Sequence, residues 1–120
     1  MANRWEEYKG KRIFYMDFAF KKYAEALQAI AEARPIIDKQ PPNSVLGLVD
    51  VRESPFNREV AQALKDFANA NKPYMKTSAV VGVDGIKMVI FNAVLKFTGR
   101  KNLVLKSTVE EAKDWLAEQP

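Results

Sequence analysis

Neither histidine nor cysteine occurs anywhere in the 120 residues of this chain. Histidine is the one side chain whose ordinary pKa lies in the physiological range, and the two residues together supply most zinc, copper and haem ligands and most activated nucleophiles. Their absence excludes metalloenzymes with histidine or cysteine ligands, cysteine-hydrolase and histidine-triad chemistry, and no cofactor is expected. Long apolar runs are missing as well: no stretch approaches the ~20 residues of a membrane span, so an integral membrane protein is not expected. The opening Met1-Ala2-Asn3-Arg4-Trp5-Glu6-Glu7 has no apolar run behind its basic residue, and the expected location is cytoplasmic. Charge of one sign is scarce only locally. The net charge of +4 is too mild to point to nucleic acid, but Lys87, Lys96, Arg100, Lys101 and Lys106 lie between Gly85 and Val109 with no acid among them. That stretch suits either a solvated helix end or an anionic partner.

What is present alternates between strand and helix. Arg4 to Tyr8 and Lys11 to Phe18 flank a Lys9-Gly10 turn and read as a hairpin. Phe20, Ala24, Leu27 and Ala31 recur at helical spacing, and Pro35 is expected to end that helix after Arg34. Val45 to Val51 is a nearly continuous apolar run, as expected of a central strand covered on both faces. A second helix is expected from about Asn57 to Lys72, then a strand from Thr77 to Val83 and a third helix from Ile86 to Thr98 closed by Gly99. Asn102 to Lys106 reads as a short strand. Ser107 and Glu110 form an expected capping box before a last helix that buries Val109, Ala112, Trp115 and Leu116. The order predicts a single α/β domain over residues 1–120, with a five-stranded, mixed but mostly parallel sheet, an N-terminal hairpin and four helices.

The Trp5…Tyr8-Lys9-Gly10-Lys11 hairpin, the Leu48-Val49-Asp50-Val51 strand, Ala79 to Val83 feeding a helix, Gly99-Arg100 and the closing Val109 to Leu116 together resemble the SpoIIAA-like proteins of the STAS superfamily. The resemblance implies the fold of anti-sigma-factor antagonists, some of whose relatives resemble phosphatidylinositol-transfer-type lipid-binding domains. It also implies a non-catalytic regulatory or protein-interaction module with a protein partner or a second copy of the chain. The antagonists carry a phosphorylated serine in the loop after the central strand. The corresponding stretch is Arg52-Glu53-Ser54-Pro55-Phe56-Asn57, which has one serine and no Ser/Thr-Gly pair. Ser54 is thus the candidate phosphoacceptor, with Arg52, Phe56 and Asn57 beside it; alternatively Ser54 only caps the helix, with Pro55 at its first position.

Three further constellations invite chemistry. Asp17, Asp50 and Asp84 each fall near the carboxyl end of a strand, where open α/β sheets place ligands, so an Mg²⁺-dependent hydrolase is a remote alternative; turn and cap roles are the other reading. Gly82 and Gly85 before the third helix, with Lys87, could hold an anion. On that helix, Ile86, Val89, Ile90, Ala93, Val94 and Phe97 are expected to cover the sheet, leaving Met88, Phe91 and Leu95 as an opposite apolar stripe. Such a stripe fits a neighbouring helix, a dimer seam, a protein partner, or the wall of a pocket for a small lipid-like or anionic ligand, with the helix as a lid.

Overall fold

The computed structural model describes residues 2–54 and 56–120. Five strands, β1 (Asn3–Tyr8), β2 (Lys11–Asp17), β3 (Val45–Asp50), β4 (Met75–Val81) and β5 (Leu103–Lys106), form one sheet in the order β1-β2-β3-β4-β5. The β1–β2 pair is antiparallel and the others are parallel, so the α/β class and mixed sheet are those the pattern predicts. Lys9 and Gly10 both have positive φ, which is what a two-residue turn needs to match strand twist. β3 lies at the centre.

Helices α1 (Tyr23–Asp38), α2 (Arg58–Asn71), α3 (Ile86–Thr98) and α4 (Val109–Ala117) cover the two faces unequally. Successive strand residues point to opposite faces. Ile13, Tyr15, Leu46, Leu48, Ala79 and Val81 therefore meet Ala112 and Leu116 of α4, while Phe14, Met16, Val45 and Val80 meet Ala29, Ile30, Ala33 and Ile37 of α1 and Phe67 of α2. Buried on both sides, β3 is apolar at every position but Asp50, and β2 is apolar from Ile13 to Met16.

Three local expectations need correction. Helix α1 does not stop at Pro35 but runs through it to Asp38, and Phe20 lies outside it, exposed with a φ of 58°. Proline in a helix interior costs ~3 kcal/mol, but it stands here on the exposed side. Two residues on, the fully buried Ile37 returns ~1.5–3 kcal/mol, with Ile36 adding to it, so packing carries the helix past the break. The cap of α4 is Thr108 rather than Ser107: its hydroxyl accepts from the Glu111 N–H at 3.0 Å.

The third correction is the rotation of α3. Ile86 is 70% exposed, Val89 64% and Phe97 51%, with Ala93 also exposed, so most of the face expected on the sheet points outward. Val94 and Thr98 are buried, and Lys87, Ile90, Phe91 and Leu95 are half-buried. Of the expected outer stripe, only Met88 is outside. A helix whose apolar residues are spread over all its sides specifies no orientation by its pattern, and here the orientation follows from its packing on α2.

Candidate functional site

At the carboxyl edge of the sheet the backbone departs from ordinary geometry at several points together. Phe20 and Glu53 have φ of 58° and 51°, values uncommon for residues with a Cβ. Gly82, at φ 97°, lies so close to the loop after β3 that a Cβ there would stand 2.5 Å from the Arg52 nitrogen. These residues ring a shallow polar pocket with Arg52, Ser54, Asp84 and Lys87. The structure thus brings together two sets of candidates, Arg52 and Ser54 from the loop and Gly82 and Lys87 from the turn. Gly85 stands outside that ring as the residue capping α3, Asn57 caps α2 by accepting from the Val60 N–H at 2.8 Å, and Phe56 lies beside Lys87, whose Nζ is 5.6 Å from the centre of its ring. Pro55 lies outside the described residues.

The side chains at this edge are largely committed to one another. Asp50 is 1% exposed and accepts from Arg52 Nη2 at 2.8 Å, Arg52 Nε at 3.0 Å and the Tyr15 hydroxyl at 2.8 Å. Burial pushes its carboxyl up, but these bonds outweigh burial and hold it below the ordinary carboxylate range. Burial and the adjacent Asp50 push the Tyr15 hydroxyl well above its ordinary value. Asp17 lies opposite Asp50 in register and accepts from the Ala19 N–H, shaping the turn beyond β2. Asp17, Asp50 and Asp84 do not gather: among the described residues no group of acidic side chains is placed to hold a metal ion. Ser54 is 8% exposed, and its hydroxyl donates to the Phe18 carbonyl, so a modifying enzyme reaches it only if the loop opens. Lys87 Nζ folds back onto the Val51 carbonyl at 2.7 Å and the Gly82 carbonyl at 3.4 Å.

A second, deeper space lies between α3, α2 and the sheet. The room it leaves for a solvent-sized sphere is about 80 Å³, and its walls are almost entirely apolar. Met16, Val49 and Val80 form the floor, Leu64 and Phe67 one side, and Ile90, Phe91 and Val94 the roof. Gly47 leaves room for the two methionines behind the floor: a Cβ there would meet Met75 Cε at 2.5 Å, Met16 Cε at 3.0 Å and Ser78 Oγ at 3.2 Å. The polar lining consists of Asn71, Ser78, Lys87 and Arg100; no acid is among the described lining residues. Met75, Asn71, Ser78 and Arg100 are buried and close one end, whereas Phe56, Val83 and Lys87 at the other end are half-exposed and form the mouth.

Sequence reasoning singled out Phe91, which lines this space, but placed it on the side of α3 opposite the sheet. It missed Asn71 and Ser78, and named Arg100 only as one of the cations of a basic tract. The available signal was the acid-free tract containing Arg100, which marks a cation without a carboxylate nearby in the chain. No protein-family model, no curated protein and no solved structure matches the chain. No helix among the described residues is long and apolar enough to cross a membrane.

Proposed function

We propose that this chain is a cytoplasmic, non-catalytic binding module that holds a small apolar ligand between the sheet and α3, with α3 as a lid. The observation that carries the reading is the apolar space itself. Helix α3 packs on α2 and roofs the space above Met16, Val49 and Val80. Pockets of this kind, concave and apolar with a few convergent polar groups, are where α/β proteins take small molecules. The outward face of the same helix supports a second reading, a protein-interaction or regulatory module of the SpoIIAA-like kind. Ile86, Val89, Ala93 and Phe97 form an exposed stripe along one side, which a partner or a second copy would cover.

Native mass spectrometry of protein purified without detergent tests the first reading. A bound mass released by organic extraction, or one-to-one uptake of decanol or decanoate by the extracted protein, supports it. A bare chain that takes up neither probe contradicts it and leaves the exposed face of α3 as the working surface.

A further inference from the structure

Arg100 is 6% exposed, and none of its partners is a carboxylate. Its Nε donates to Asn102 Oδ1 at 2.9 Å, Nη2 to Ser78 Oγ at 3.2 Å and Nη1 to the Ala68 carbonyl at 3.4 Å. A guanidinium carries more N–H groups than these bonds use, in a planar fork that matches a carboxylate. Burying a cation without a counter-charge is costly, and burial pushes this one down to about 10. Close by, Asn71 is 2% exposed and lines the same space, and its Oδ1 has no hydrogen-bond partner among the described residues. A half-turn of its carboxamide exchanges oxygen for nitrogen, so the group can offer an N–H where it now presents a free acceptor. The Ser78 hydroxyl accepts from Arg100 and keeps its own hydrogen to donate.

We infer that the pocket's ligand is an apolar chain ending in a carboxylate, seated head-inward with its carboxylate on Arg100 and flanked by Asn71 and Ser78. This rests on the reading of the space under α3 as a ligand site and adds the chemistry of the head. The inference stands on charge complementarity and unsatisfied polar groups: a buried cation without a carboxylate, a buried amide without a full set of partners, and no acid in the lining to compete with an entering anion. An entering carboxylate supplies the missing counter-charge and accepts the free N–H groups together. An alcohol of equal length satisfies fewer donors and brings no charge, and an alkylammonium meets like charge at the closed end.

The test compares decanoate, decanol and decyltrimethylammonium by titration calorimetry at neutral pH, where the carboxylate is ionised. The wild-type protein is expected to bind decanoate about tenfold or more tighter than decanol, and the ammonium least of all. Arg100→Gln should bring the acid-to-alcohol ratio close to one while leaving decanol affinity unchanged, which a merely structural arginine would not do. Asn71→Ala, which keeps the guanidinium, should lower decanoate affinity severalfold and leave decanol as it was; with the wild-type ratio it decides the matter if Arg100→Gln does not fold. Equal binding of acid and alcohol by the wild type, or an undiminished preference in folded variants, overturns the carboxylate assignment while keeping the pocket. Failure of all three probes overturns the pocket as well.

Discussion

Adding one methyl group at Gly47 separates packing from binding. In Gly47→Ala the new Cβ arrives 2.5 Å from Met75 Cε, 3.0 Å from Met16 Cε and 3.2 Å from Ser78 Oγ, so something must shift. In a filled core such overpacking costs ~1–3 kcal/mol. The two nearest atoms here are the tips of flexible methionines that border empty space, so the cost sits at the low end, ~1 kcal/mol. Replacing a strand glycine returns ~0.5–1 kcal/mol through the unfolded chain. Net stability should therefore fall by no more than ~0.5 kcal/mol, or ~2 °C in melting temperature. The displaced methionine tips enter the pocket and take the room of one or two ligand methylenes. At ~0.8 kcal/mol each, decanoate should bind roughly four- to fifteenfold more weakly. Urea denaturation and calorimetric titration on the same preparation read both quantities. A stability loss above ~3 kcal/mol would show that the methionines have nowhere to go, and an unchanged decanoate affinity would show that the ligand does not lie over Gly47.

Ser54→Ala removes the donor to a buried carbonyl and should cost ~1 kcal/mol, whereas Ser54→Asp sets a carboxylate against that carbonyl and should cost more than ~2 kcal/mol in urea denaturation; an aspartate variant as stable as wild type refutes the buried geometry. The Asp50 carboxyl is held below its ordinary value, so its contribution is fully present above the unfolded carboxylate's pKa and lost as pH falls through the lower folded value. Asp50→Asn should accordingly flatten the decline in stability on that acid side, and an unaltered acid limb would count against the Tyr15–Asp50–Arg52 network. Serine at Ile86 or Val89 should change stability by less than ~0.5 kcal/mol each, because these side chains face solvent; a loss above ~2 kcal/mol at either contradicts the orientation of α3.

The legibility of this fold in its sequence follows from how strongly each segment constrains itself. Val45 to Asp50 reads as a central strand because burial on both faces demands an unbroken apolar run, and it lies third of five in the sheet. Gly99 marks the end of α3 because it adopts the left-handed conformation that a helix cap favours. Pro35 misleads because the cost of proline is local while the burial of Ile37 is tertiary. The rotation of α3 is illegible for a related reason: apolar side chains all round leave its orientation to its neighbours. The closed end of the pocket is assembled from Asn71, Ser78 and Arg100, which belong to three separate elements or their flanks, and no spacing in one segment announces their meeting.

The methionines provide the most direct test of the account, because Met16 and Met75 line the pocket whereas Met88 stands on the outer side of α3. With ¹³C-labelled methionine methyl groups, titration with decanoate should shift the Met16 and Met75 signals together and leave Met88 in place. Shifts confined to Met88, with Met16 and Met75 unmoved at saturation, would put the ligand on the exposed face of α3 and contradict the pocket beneath it.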